Sequence, residues 1–182
     1  MPMRVIAGEF RHRKLVYPEN NKDIRPTKDR IREAIFSSFG DISGMSFLDL
    51  YAGCGSMGIE AISRGASYAT FVDCNSESIS YIRKNIESLN INNKTEVLKM
   101  FDEVALAKFK NESRQFDIIY IDPPYESDRY DFALNYIFNN DLVKENGIVV
   151  IEANRKIDIN PLWSNKIKEY HYGEITLTTL RK

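Results

Sequence analysis

Asp122-Pro123-Pro124-Tyr125 is the stretch of this chain best equipped for chemistry. It follows directly on Phe116–Ile121, a nearly continuous apolar run that reads as a buried strand. The four residues are therefore expected at the carboxyl edge of a sheet. Two prolines fix the backbone and remove two donors, leaving carbonyl groups free to accept. A carboxylate at Asp122 and a rigid carbonyl can together hold both hydrogens of an exocyclic amine. The nitrogen lone pair, otherwise delocalised into the ring, then turns toward an incoming methyl group. Tyr125 can stack on a flat base and hold it in place. Asp122, Pro123, Pro124 and Tyr125 thus form the expected catalytic set, and methyl transfer to a base amino group is the expected chemistry.

A second cluster lies upstream in Phe47-Leu48-Asp49-Leu50-Tyr51-Ala52-Gly53-Cys54-Gly55-Ser56-Met57-Gly58. A buried strand ends near Asp49 and a helix starts near Met57, so the glycines occupy the turn between them. There glycine lets backbone approach a ligand closely. Asp73 ends the next strand candidate, 20 residues beyond Gly53, which suits a carboxylate accepting from ribose hydroxyls. Such a pair serves a dinucleotide or S-adenosyl-L-methionine equally well. Asp49 favours the latter, because a carboxylate there attracts an ammonium and repels a pyrophosphate. Asp102 closes the third strand candidate and can accept from an adenine amino group or simply cap a helix. Asp49, Tyr51, Gly53, Gly55, Gly58, Asp73 and Asp102 are the expected cofactor-binding residues.

These residues need a scaffold, and the pattern from Met45 onward supplies one. Strand candidates at Ser46–Leu50, Tyr68–Val72, Glu96–Lys99, Phe116–Ile121 and Gly147–Glu152 alternate with helix candidates at Met57–Arg64, Ser76–Leu89, Glu103–Lys110 and Arg129–Asn139. The helix at Ser76–Leu89 is the clearest, with Ile79, Ile82, Ile86 and Leu89 on one stripe and Asn75 or Ser76 as cap. Alternation of this kind predicts a parallel sheet with helices on both faces. The tail differs: Ile167–Tyr172, Gly173 and Ile175–Leu180 read as an antiparallel hairpin. Ahead of Met45, Val5–Ala7 and Leu15–Tyr17 flank a basic turn and predict a hairpin. A polar loop with Pro18 and Pro26 follows, and Thr27 reads as the cap of a helix that carries Ile31, Ala34, Ile35 and Phe39 at helical spacing. The chain divides on this basis into an extension, 1–44, and a main domain, 45–182.

Composition narrows the classes. The 182 residues, 43% hydrophobic and 28% charged, fit one folded domain. No apolar run approaches the roughly 18 residues that span a bilayer, and Met1-Pro2-Met3-Arg4 does not open a signal peptide. A cytoplasmic protein without membrane partner is expected. Cys54, Cys74, His12 and His171 lack the spacing of metal ligands, so neither a metal nor a histidine base is expected. The net charge of −1 hides an asymmetry, with +5 in residues 1–32 and −6 in the remainder. A basic arm on an acidic body suits a polyanion held at one end, or else a solvated basic face.

Taken together, Arg25-Pro26-Thr27-Lys28-Asp29-Arg30-Ile31-Arg32-Glu33, Asp49 to Gly58, Glu60-Ala61-Ile62-Ser63-Arg64-Gly65-Ala66 and Asp122 to Tyr125 resemble the RsmD-type 16S ribosomal RNA guanine-N2 methyltransferases. The resemblance covers nearly the whole chain, and the Arg25–Glu33 stretch is its most specific part. It implies a Rossmann-like class I methyltransferase with a seven-stranded, mostly parallel sheet and an N-terminal hairpin-and-helix extension that meets RNA. Arg4, Arg11, Arg13, Arg25, Arg30 and Arg32 are then expected to contact phosphates, or some of them to brace the extension against the acidic body. Methylation of a guanine amino group in 16S rRNA, within a small-subunit assembly particle, is what the resemblance implies for function. The chain departs from the family pattern at His12, where glycine is usual, at Ser37, where asparagine is common, and at Cys54, where serine is usual.

Other functions share parts of this pattern. An amino methyltransferase acting on adenine N6 in DNA or RNA, or on a protein glutamine, has the same tetrad but not the Arg25–Glu33 stretch. A nicotinamide-dependent oxidoreductase shares Gly53-x-Gly55-x-x-Gly58 and Asp73, but neither Asp49 nor Pro123-Pro124 serves it. A non-catalytic RNA-binding assembly factor has no use for an intact tetrad.

Overall fold

The computed structural model describes residues 3–18, 29–124, 129–164 and 166–182. The helices are α1 (Asp29–Phe39), α2 (Ser56–Ser63), α3 (Ser76–Leu89), α4 (Asp102–Asn111) and α5 (Arg129–Asn139). The strands are β1 (Ser46–Leu50), β2 (Tyr68–Asp73), β3 (Thr95–Lys99), β4 (Phe116–Ile121), β5 (Val143–Ala153), β6 (Lys166–Tyr172) and β7 (Ile175–Arg181). They form one seven-stranded sheet in the order β3-β2-β1-β4-β5-β7-β6. The first five strands are parallel, and β7 runs antiparallel between β5 and β6. This is the expected sheet with its C-terminal hairpin. Strand order reverses between β1 and β4, so their carboxyl ends flank the crevice where open α/β sheets bind ligands.

Period-two alternation divides the strands between two apolar clusters. Phe47, Phe71, Ile118, Tyr120 and Val150 face one side, against Ile31, Ile35 and Phe36 of α1, Ile59 and Ile62 of α2, and Ile79, Ile82 and Ile86 of α3. Leu48, Leu50, Val72, Ile119, Ile121 and Val149 face the other, against Leu106 and Phe109 of α4 and Tyr130, Leu134 and Ile137 of α5. Each helix stripe thus meets one face of the sheet. Asn75 caps α3 by accepting from Glu77 N and Ser78 N, as its sequence predicts. Strand β5 begins four residues before the apolar run suggests. Its register against β4 jumps from Phe116↔Val143 to Ile118↔Ile148, and the polar Lys144-Glu145-Asn146 in that irregularity breaks the hydrophobic pattern.

The expected strands at Val5–Ala7 and Leu15–Tyr17 do not form. One bridge joins Arg4 to Lys14, with Val5 N donating to Arg13 O and Leu15 N to Met3 O, both at 2.9 Å. The reason is a competing partner: the backbone N–H groups of Ile6 and Ala7 go to the Glu60 carboxylate, and Glu9 N goes to Ser63 O. Gly8, at φ 81°, lies so close to α2 that a Cβ would stand 1.8 Å from Ser63 O. Met3, Val5 and Leu15 belong to the same apolar cluster as α1 and the sheet. The expected cap at Thr27 and the loop with Pro26 lie outside the described residues. Among the described residues, no helix is long and apolar enough to cross a membrane.

Candidate active site

The glycine loop is built by its own backbone and by two carboxylates. Tyr51 (φ 109°), Gly53 (φ 55°) and Gly55 (φ 81°) turn the chain from β1 into α2, and Gly55 stands at the N-cap with no side chain to cap it. Asp49 supplies the missing acceptor, taking a hydrogen bond from Gly58 N at 3.0 Å. This carboxyl is only 1% exposed, and burial pushes its pKa up to about 8. The Gly58 N–H pulls the other way, and the Asp73 charge adds to the rise. Asp73 accepts from Gly53 N at 2.8 Å and from Asn75 N at 2.8 Å, so it holds the loop at the end of β2. Gly58 itself serves packing: a Cβ there would sit 2.3 Å from a ring carbon of Phe71, so only glycine lets α2 lie this close to β2.

The tetrad starts where β4 ends. Asp49 is in register with Tyr120, which brings Asp122 next to the glycine loop. Its carboxyl is driven well above the ordinary carboxylate range, first by burial, then by the Glu152 and Asp49 charges. Glu152, 2% exposed on β5, accepts from Tyr120 Oη at 2.5 Å. The hydroxyl of fully buried Tyr130 lies 3.0 Å from Glu152 O and 3.4 Å from Pro123 O, bracing the proline segment against β5. Asp49, Asp122 and Glu152 therefore gather three carboxylates at one point of the sheet edge. Tyr125 lies outside the described residues.

Asp102 does not close a strand; β3 ends at Lys99 and Asp102 opens α4. Its carboxylate accepts from Tyr51 Oη at 2.6 Å and from Arg129 Nε at 2.9 Å, with a second Arg129 contact through Nη2. Burial and this bond together push the Tyr51 hydroxyl pKa up. The two expected cofactor residues thus meet each other, across the mouth of the glycine loop, through a pairing the sequence does not reveal.

The six arginines separate. Arg4, Arg11, Arg13 and Arg30 are exposed, although Arg4 pairs with Asp29 at 3.5 Å and Arg13 donates to Ser88 O at 2.9 Å. Arg25 lies outside the described residues. Arg32 corrects the expectation: it is fully buried, its Nη2 donates to Arg4 O and Asp29, and its Nε stands 3.8 Å from Glu60 Oε2. A side chain closed off from water cannot reach a phosphate, so Arg32 braces the extension. Glu60, Asn85 and Glu152 were not foreseen. Asn85 accepts from Val16 N and donates to Val16 O and Cys54 O, tying the extension to the glycine loop. Glu152 had a readable signal, since like Asp49 and Asp73 it is an acid at the carboxyl end of an apolar run. Glu60 and Asn85 sit inside helices, where polar residues ordinarily face water.

The arrangement fits a cationic methyl donor. Left-handed glycines beside the Asp49 and Asp73 carboxylates suit a sulfonium with an amino-acid tail, whereas a pyrophosphate would meet like charge there. Comparison with known proteins agrees. Ribosomal RNA small subunit methyltransferase D of Buchnera aphidicola is 35% identical over 156 residues, covering 85% of this chain and 80% of that protein. YlbH of Bacillus subtilis is 33% identical over 158 residues, covering 86% and 85%. Among solved structures, yhhF from Escherichia coli superposes with a TM-score of 0.86 at 25% identity, covering 100% of this chain and 98% of that one. The family model described as "Conserved hypothetical protein 95" matches residues 3–181, and with these relatives it places the chain in the RsmD-type methyltransferase family.

Proposed function

We propose that this chain is an S-adenosylmethionine-dependent methyltransferase that modifies the exocyclic N2 amino group of a guanine in small-subunit ribosomal RNA. One observation carries the chemistry: the Asp122-Pro123 segment stands beside the Asp49–Gly58 loop at the point where strand order reverses. The relatives' names support ribosomal RNA as the substrate class, and the Arg25–Glu33 stretch supports guanine over adenine.

S-adenosylmethionine, when bound, supplies an electrophilic methyl on sulfur. Gly53, Gly55, Asp49 and Asp73 would hold it along the loop, and Tyr51 with Asp102 would border its adenosine end. Asp122 and the Pro123 carbonyl, braced by Tyr130, accept the two amine hydrogens and turn the lone pair outward. Tyr125 stacks on the base. Catalysis rests on orientation and exclusion of water, since neither partner needs a covalent link to the chain. The extension, 1–44, presents Arg4, Arg11, Arg13 and Arg30 to the phosphates of RNA within an assembling particle.

The test is incubation with labelled S-adenosylmethionine and small-subunit particles from cells lacking the protein, followed by nucleoside analysis. Label in N2-methylguanosine is the expected result. Label in N6-methyladenosine, or donor binding without transfer, would overturn the assignment.

A further inference from the structure

We propose that Glu152 is a positioning residue for this transfer: seated beside Asp122 on the neighbouring strand, it makes the Asp122 carboxylate a stronger acceptor for the target amine. The inference rests on the function proposed above and adds a residue to it. Register places the two acids together. Tyr120 pairs with Val150 and Ile121 with Ile151, so Asp122 and Glu152 follow at the same level on adjacent parallel strands. Alternation puts them on one face, the side where Tyr120 and Val150 pack.

The surroundings hold Glu152 in place. Tyr120 donates to it at 2.5 Å, and Tyr130 reaches the Glu152 backbone carbonyl at 3.0 Å, fixing the end of β5. Polar groups around the pair include, among the described residues, Asp49 from β1 and Tyr130 from α5, while Arg32 of α1 acts on Tyr120 from the same side. Leu177, opposite Glu152 on β7, is apolar. Burial and the Glu152 charge both raise the proton affinity of Asp122, and a more basic acceptor withdraws more proton density from the amine. In the reaction the nitrogen lone pair forms the N–C bond while the C–S bond breaks with its electrons left on sulfur. The surplus N–H proton then passes to an Asp122 carboxylate oxygen.

Two measurements test this. Infrared titration of isotope-labelled aspartate, with Asp122→Asn to identify the band, reads Asp122 without any turnover. In the unaltered protein its midpoint should lie above the ordinary carboxylate value of about 4. In Glu152→Gln it should fall by about one pH unit, while Glu152→Asp keeps it near the original. The acid limb of the kcat pH profile should move with it, and the Glu152→Gln plateau should drop roughly tenfold at unchanged KM for donor and RNA. An Asp122 midpoint in the ordinary range overturns the proposal even if Glu152→Gln does not fold, and so does a midpoint that Glu152→Gln leaves unmoved. Absence of any RNA methylation by the unaltered protein would instead refute the function, and the infrared result would still decide the role of Glu152.

Discussion

Arg32 and Glu60 face each other at 3.8 Å (Nε to Oε2), and both side chains are sealed from water, at 0% and 1% exposure. Glu60 also accepts from Ile6 N, Ala7 N and Arg64 Nε, so one carboxylate joins α1, α2 and the start of the chain. Removing Arg32 takes one of two cations from the buried Glu60 carboxylate, leaving Arg64, and also removes the donors to Arg4 O and Asp29. Arg32→Met should therefore destabilise the protein by about 3 kcal/mol, read by chemical denaturation. A loss below about 1 kcal/mol would mean that the pair behaves as a surface bridge.

Asp122→Ala removes the proposed acceptor of the target amine but leaves the glycine loop intact. Transfer should fall by at least about a hundredfold, as expected for loss of a group that acts on the reacting proton. Donor binding by calorimetry should persist. Retained turnover would remove Asp122 from the mechanism.

Gly58→Ala forces a methyl group into the Phe71 ring. It should cost about 1–3 kcal/mol and weaken donor binding, because α2 must move away from the sheet and carry Gly55 with it. An alanine variant with the original melting point and donor affinity would show that the contact yields easily.

Asp49 makes stability depend on pH in an unusual direction. Its folded pKa, about 8, stands above an unfolded value near 4, so the folded state holds the proton more tightly. This contribution is complete below about pH 4 and is lost as pH rises toward 8. Asp49→Asn should flatten the decline in stability across that window and be relatively most favourable near its upper end. Parallel pH curves for the two proteins in denaturation experiments would refute the assignment.

On the extension, the exposed arginines and the buried one predict opposite outcomes. Arg11→Ala with Arg13→Ala should weaken RNA binding and lower the slope of log affinity against log salt by about 2. Arg32 substitutions that remain folded should leave the slope unchanged. A slope indifferent to Arg11 and Arg13 would move the RNA surface elsewhere.

Much of the site was legible because it depends on local order along the chain. Asp49, Asp73 and Asp122 each stand at the carboxyl end of an apolar run, and in a parallel sheet those ends share one edge whatever the details of packing. Period-two and period-3.6 patterns likewise placed the strands and helices from Met45 onward within a few residues. Where the pattern was interrupted by polar residues, as at Lys144-Glu145-Asn146, the start of β5 was hidden.

Which arginine stays exposed and which braces, which acid stands beside Asp122, and what Asp102 touches all depend on contacts between residues distant in sequence. Arg32 and Arg30 look alike along the chain and differ only because the turn of α1 buries one against Glu60 and leaves the other in water. Glu152 acquires its role from the β4–β5 register, and Asn85 from the accident of lying under both Val16 and Cys54. The sequence by itself determined most of the elements and brought the candidate residues to one sheet edge. Tertiary structure decided the partners there, because burial sets the strength of a charge and burial belongs to the folded chain.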